Sequence, residues 1–191
     1  PENKELQTHK LCCSRQHAFR TEYTGGFDVV IGNPPYVRLQ GLKANYEKES
    51  FFYEKTYQSA TANYDIYALF IEKAFKLINE NGNVCFIQPH KFLISDFGIG
   101  IRGFLLKHKA VESLLHFGSN MVFKDASTYT CILKLTYNNS EIKFKHLEPE
   151  KIDFIADYDK ISYDKLTENK WNLTNTNITK VLDKLKLQPL T

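Results

Sequence analysis

The amino-acid sequence predicts an α/β fold built on a parallel sheet with crossover helices. Three observations carry that expectation. Short apolar runs of strand length at 27–32, 84–87 and 111–117 alternate with stretches whose apolar residues recur at helical spacing, 65–79 and 98–108. Gly, Pro and Asn punctuate the joints between them. At 191 residues, the chain is long enough for one domain with its own core.

The elements follow in order. Residues 1–26 form a polar lead-in with a weak helical pattern and a Gly25-Gly26 turn. Phe27-Asp28-Val29-Val30-Ile31-Gly32 reads as the first buried strand. Residues 37–63 are polar, aromatic-rich and aperiodic, which predicts a long loop with a short helix; loops of that length are more often functional than idle. Ile66, Leu69, Phe70, Ala74, Leu77 and Ile78 share one helical face, Asn63 or Asp65 caps the start, and Asn81-Gly82 supplies a left-handed stop. The second strand at 84–87 ends at Pro89. A helix over 98–108, a third strand over 111–117 and a fourth over 130–137 complete this part. Beyond Asn138 the sequence turns polar, with strand-like pieces at 142–147 and 152–155 and a connector plus helix from Trp171 to Leu187. The predicted organisation is a lead-in (1–26), a central catalytic part (27–140) and an extension (141–191).

Composition excludes several classes. Apolar residues are 42% and charged residues 25%, ordinary for a globular protein, and the net charge of +3 names no partner. Cys85 and Cys131 lie in apolar strand-like runs and no CxxC pair exists, so reduced thiols of a cytoplasmic protein are expected rather than a zinc site or disulfides. No stretch has the length of a membrane span and no signal peptide opens the chain. The start at Pro1, without Met, reads as a piece of something longer. Lys91, Arg102, Lys107, Lys109 and Lys124 make the middle basic: a solvated helix face, or a surface facing phosphate.

Asn33-Pro34-Pro35-Tyr36, directly after the first strand, is the most informative segment. In parallel α/β sheets, ligands sit at the carboxyl ends of strands, and this loop leaves such an end. An exocyclic amine on a base is a poor nucleophile because its lone pair is delocalised into the ring. Two acceptors on its hydrogens pull the nitrogen toward tetrahedral geometry. The Asn33 side-chain oxygen and the Pro34 carbonyl are suited to that task, and proline at 34 and 35 fixes φ, so the acceptors are held in advance. Tyr36 can stack on the ring face, at roughly 1–3 kcal/mol per base. The competing reading is a proline turn with Tyr36 packed inward.

The run from Phe27 to Val37 resembles the catalytic motif of the adenine-N6 DNA methyltransferases, in particular the TaqI-like and type IIG restriction–modification enzymes. The similarity continues through Asp65 to Ala74, Asn81-Gly82-Asn83-Val84 with Pro89, Phe92 and Leu93, then Val122-Phe123 and Thr128 to Leu133. It covers about residues 25–137, with a looser match near Trp171. The resemblance implies a Rossmann-like S-adenosylmethionine-dependent methyltransferase fold, of which the chain carries the C-terminal half of the sheet, followed by the start of a recognition-domain linker. It implies that Asn33 and Pro34 bind the amino group of a flipped adenine, that Tyr36 stacks on it and that Phe123 contacts its other side. Pro35 and Phe70 match positions lining the pocket for the adenine of S-adenosylmethionine. Double-stranded DNA is the implied partner, with nuclease and target-recognition domains attached in the full-length protein. The glycine-rich cofactor motif and ribose-binding acid of that family have no counterpart in the 32 residues before Asn33, so the cofactor site is expected to be incomplete in this chain.

Other features stay open at this level. Phe70 fits a helix core as well as a ligand wall, and Phe123 fits a core anchor. Gly98-Ile99-Gly100-Ile101-Arg102-Gly103 has the spacing of a phosphate loop but lies about ten residues past the preceding strand, so it reads as a glycine-rich helix start. Lys91 and Arg102 are candidate DNA-phosphate contacts; a solvated loop for Lys91, beside His90, and local pairing for Arg102 are the alternatives. A methyltransferase acting on protein glutamine or ribosomal RNA, and a non-catalytic DNA-binding remnant, are the competing functions.

Overall fold

A computed structural model of the chain describes residues 25–38, 47–61, 63–123, 128–151 and 157–173. The elements are β1 (Phe27–Gly32), α1 (Glu47–Thr56), α2 (Ile66–Leu77), β2 (Ile78–Pro89), α3 (Ile99–Lys107), β3 (Val111–His116), β4 (Thr130–Leu135), β5 (Glu141–His146) and β6 (Asp159–Ser162). Short 3-10 turns follow β2 at His90–Leu93 and Asp96–Gly98. The predicted lead-in up to residue 24, the strand-like piece at 152–155 and the helix expected within 171–187 beyond residue 173 lie outside the described residues.

All six strands share one sheet in the order β1-β2-β4-β3-β5-β6. The sheet is mixed rather than parallel. β1 runs parallel to β2, and β3 parallel to β5, but β4 lies antiparallel between β2 and β3, and β6 is antiparallel to β5. The connection from β3 to β4 contains no described helix, and a parallel neighbour needs a crossover of a dozen or more residues, usually helical. β1, β2, β3 and β5 therefore point one way, and their carboxyl ends share one edge.

The chain passes from α2 into β2 without the expected left-handed stop at Asn81-Gly82: Ile78 is already extended, at φ −78° and ψ 154°. Gly82 serves instead as a contact point. A Cβ there would lie 2.5 Å from the Phe27 carbonyl oxygen and 2.7 Å from the Ile78 Cβ. Gly26 (φ +94°) faces the same corner, where a Cβ would come within 2.8 Å of the Leu77 carbonyl oxygen. Both glycines let β1 begin hard against the α2–β2 junction.

One sheet face is covered by α2 and α3. Val84 and Phe86 of β2, Leu114 of β3 and Leu133 and Leu135 of β4 pack there with Ile71 and Phe75 of α2 and Ile101, Phe104 and Leu105 of α3. Ile132 and Lys134 alternate onto the other face and are half-buried. The sheet does not stop at residue 140, since β5 and β6 extend it. Tyr163, after β6, donates its hydroxyl proton to the Val111 carbonyl at 2.8 Å and accepts from the Val111 N–H at 2.7 Å. Trp171, read from the sequence as the opening of a connector, is a core residue at 2% exposure. Its backbone N–H donates to Leu93 at 2.7 Å and its indole N–H to Thr167 at 2.7 Å.

Arg102 also departs from expectation. It is 2% exposed, and its guanidinium donates to the carbonyls of Phe92, Ser95 (2.8 Å) and Glu168 (2.9 Å). It cannot face a DNA phosphate, because its donors hold together the turns after β2 and the segment leading to Trp171. Gly98 accommodates this cage: a Cβ there would lie 2.0 Å from the Phe92 carbonyl oxygen. The Gly98–Gly103 segment is thus a helix start, as its distance from the strand implied. Replacing Arg102 by Met removes its bonds to the carbonyls of Phe92 and Glu168, while the Ser95 carbonyl keeps the Gly98 N–H at 3.1 Å. The expected loss is about 2–4 kcal/mol, read as a lower midpoint in urea unfolding followed by circular dichroism.

Candidate active site

The loop leaving β1 rests on three ties. Tyr36 donates its phenolic proton to the Ile87 carbonyl of β2 at 3.2 Å. The Val37 carbonyl accepts the Ile66 N–H at 2.9 Å, and Arg38 forms an antiparallel bridge with Asp65. The loop is thus fastened to the carboxyl end of β2 and to the first turn of α2. Within it Pro34 is buried, Asn33 and Pro35 are exposed, and Tyr36 is half-buried. Burial, with Cys131 nearby, pushes the Tyr36 phenol up to about 12. It is therefore a neutral donor at neutral pH.

Tyr36 lines a cleft of about 370 Å³ with Arg38, Asp65, Tyr67, Pro89, His90, Lys91, Ile94, Thr128 and Tyr129. That volume falls within the range of small-ligand sites. The mouth is cationic: Arg38 and Lys91 are both exposed. Asp65 occupies the N-cap position of α2 yet makes no side-chain capping bond. Burial raises its carboxyl pKa, against the opposing pull of Arg38 and Lys91.

One flank of the cleft is a stack of rings. His90 lies on His116 with centroids 4.1 Å apart and planes within 17°, and Tyr129 is nearly parallel to His90, at 6.0 Å and 20°. His146 adds a tilted third imidazole 5.8 Å from His116. Each histidine follows or ends a strand: β2, β3 and β5. The Gly118 N–H donates to Nδ1 of His116 at 2.9 Å, so that nitrogen is an acceptor and the ring is neutral. Burial, then His90 and His146, hold His116 down at about 4, and burial also lowers His90.

The structure brings Tyr36 and Lys91 to this cleft; Asn33, exposed, and Pro34, buried, precede Tyr36 in the same loop and are not among the described walls. It does not bring in Phe123, which is half-buried and absent from the described walls of the cleft. Phe70 is 46% exposed, so it is not a simple core residue. It lines a second, apolar cleft of about 360 Å³ with Val30, Tyr53, Tyr57, Leu69 and Phe86 among others. Pro35 is exposed but does not line it. Glu72, fully buried in α2, steadies that cleft by accepting the N–H groups of Gln58 (3.1 Å) and Ser59 (2.7 Å). Burial alone would raise its pKa, but Lys76 and those N–H donors hold it below the usual value. An exposed phenylalanine among apolar and tyrosyl walls fits a flat heteroaromatic ring. Sequence reading missed Tyr67 and Tyr129 as cleft residues, and His116 and His146 as the rings behind His90, and saw Asp65 only as a cap. The available signal was position, since all lie at strand ends or at the start of α2.

The histidine stack makes stability depend on pH. The folded pKa of His116 lies below its unfolded value, so between about 6.5 and about 4 the unfolded chain binds more protons. Its contribution is complete above that window and is lost as the pH falls through it. Urea midpoints should drop as the pH is lowered from 6.5 to 4, and His116→Gln should flatten the dependence.

Comparison with known proteins gives this geometry a lineage. Residues 2–123 match the model of the Eco57I restriction-modification methylase family. The chain is 37% identical over 115 residues to the type II restriction enzyme and methyltransferase RM.Eco57I of Escherichia coli, covering 60% of this chain and 12% of that protein. It is 31% identical over 108 residues to the type II methyltransferase M.HincII of Haemophilus influenzae, covering 56% of this chain and 22% of that protein. The chain thus spans under a quarter of the length of either relative. The fold matches DrdV in its complex with DNA (TM-score 0.61, 20% identity, 87% of this chain and 19% of that one). It also matches a nuclease-deletion mutant of the type ISP restriction-modification enzyme LlaGI in complex with a DNA substrate mimic (TM-score 0.55, 20% identity, 81% of this chain and 19% of that one). A family match over more than half of the chain, taking in β1, β2, β3 and the Asn-Pro-Pro-Tyr loop, makes the chain a member of the Eco57I restriction-modification methylase family.

Proposed function

We propose that the full-length protein transfers a methyl group from S-adenosylmethionine to N6 of a flipped adenine in double-stranded DNA, as the modification activity of a cytoplasmic restriction–modification system. The observation that carries this reading is the placement of Asn33-Pro34-Pro35-Tyr36. The loop leaves β1 at the shared carboxyl edge, exposes Asn33 and sets Tyr36 as a wall of a base-sized cleft.

Each residue has a stated task. Asn33 Oδ1 and the Pro34 carbonyl accept the two amino hydrogens of the base, which localises the nitrogen lone pair. Tyr36, fixed by its bond to Ile87, offers its ring to the base. Lys91 and Arg38 at the mouth suit the phosphates that flank an extruded nucleotide. Bound S-adenosylmethionine supplies an electrophilic methyl on a sulfonium. Phe70 in its apolar cleft would hold the adenine of that cofactor; Pro35, exposed in the loop after β1, is proposed to touch it from the resemblance alone. Its remaining contacts would come from chain outside the described residues. Nuclease and target-recognition domains in the same polypeptide complete the proposal, in keeping with the far greater length of RM.Eco57I.

Full-length protein incubated with plasmid DNA and labelled S-adenosylmethionine should yield N6-methyladenine on nuclease digestion. Label in ribosomal RNA or in protein glutamine, with none in DNA, would reject the substrate. Asn33→Ala should slow transfer about 1000-fold, as expected for removal of a preorganised polar contact to the reacting group, with cofactor binding by calorimetry unchanged. An Asn33→Ala enzyme of normal rate would refute its role.

A further inference from the structure

We infer that Asp65 is a selectivity residue of the cleft: its carboxylate keeps backbone phosphate out of the interior and so reserves that space for an uncharged base. The inference rests on the reading of the cleft as a nucleobase site and adds a residue that guards it. Two features of the cleft draw in anions. α2 opens at its wall, and the first turn of a 12-residue helix carries partial positive charge. Arg38 and Lys91 stand exposed on the same walls. DNA brings a phosphate with every nucleotide, and one seated here would block the base.

Asp65 opposes that pull from the same place. It takes the N-cap position of α2, where an aspartate ordinarily accepts a backbone N–H of the first turn, yet its side chain makes no capping bond. Instead it lines the cleft, half-buried. The antiparallel bridge to Arg38 and the bond from the Ile66 N–H to the Val37 carbonyl fix its backbone there. Its ionisation senses Arg38 and Lys91, but the ion pairs of the described residues involve other carboxylates. The negative charge is thus held among cations without being cancelled by contact with one. The buried polar groups of the wall are neutral. Tyr67 is fully buried and its hydroxyl finds no partner among the described residues, and Nδ1 of His90 is likewise unbonded. A phosphate brought past Asp65 would meet a like charge and lose its water, whereas a base would meet uncharged hydrogen-bonding groups. A fixed repulsive element of this kind confers specificity by rejecting the wrong group. Arg38 and Lys91 then serve the phosphates that stay at the mouth.

Binding titrations with the full-length protein over a range of salt test the assignment. Sequencing of DNA methylated by wild type locates the target, and a duplex that carries it is compared with one that lacks it. Asp65→Asn keeps a good capping residue, so the fold should stand. It should tighten binding of the target-free duplex roughly fivefold and steepen its salt dependence by about one phosphate contact. The target duplex should change by about twofold or less, so that discrimination falls. Asp65→Glu, which retains the charge, should discriminate as wild type does. Glu80→Gln removes an exposed negative charge near the amino end of β2 and should leave the ratio of the two affinities unchanged. Equal tightening of both duplexes by Asp65→Asn, or tightening of neither, overturns the assignment. The same loss of discrimination in Asp65→Glu or in Glu80→Gln also overturns it. A wild-type protein that methylates no adenine in DNA removes the underlying reading, and this assignment with it. Wild-type methylation with unaltered discrimination in Asp65→Asn removes only the assignment.

Discussion

Parallel pairing of β1 with β2 is the constraint on which the site depends. The register runs from Val30 against Val84 to Gly32 against Phe86, so β1 ends one residue short of Ile87. That offset places the Tyr36 hydroxyl where it reaches the Ile87 carbonyl. A one-residue slip would turn every side chain of β1 to the opposite face and would carry Tyr36 away from its acceptor. The glycines at 26 and 82 exist for the same pairing, because a side chain at either would push β1 off the α2–β2 corner.

The second dependency is the antiparallel β4. By lying between β2 and β3 it brings Thr130 beside Pro89 and Cys131 between Gln88 and His116. The residues just before β4 are thereby delivered to the cleft. Without that insertion Tyr129 would have no reason to lie near Tyr36, which is 93 residues earlier. The histidine stack has the same origin. His90, His116 and His146 come from three connections that meet only because β2, β3 and β5 end at one edge. Burial keeps His90 and His116 neutral, and for His116 the neighbouring imidazoles add to it.

Charge is distributed with equal economy. Arg102, buried and satisfied by three carbonyls, ties the turns after β2 to the segment around Trp171. Lys91, eleven residues before it, stays exposed at the cleft mouth. Two basic residues of one stretch thus serve opposite ends, one holding the wall in shape and the other available to an anion. Local sequence does not distinguish them; burial does.

Sequence by itself determined the elements and the reactive loop. Apolar runs bounded by Gly and Pro located β1, α2, α3, β3, β4 and β5, because periodicity reports which face of an element is buried; β1, expected to be buried, instead leaves Val29 and Ile31 exposed at the edge of the described sheet. The string from Phe27 to Val37 located the loop that carries Asn33 and Pro34, the proposed acceptors, because rigid, locally encoded geometry is what such a loop needs. Tertiary structure alone decided the direction of β4, the inward turn of Arg102 and Trp171, the exposed Phe70 and the company Tyr36 keeps. Those depend on partners that lie elsewhere in the chain, as Ile87 does for Tyr36, Glu168 for Arg102 and Leu93 for Trp171, and no local pattern encodes which strand ends will meet.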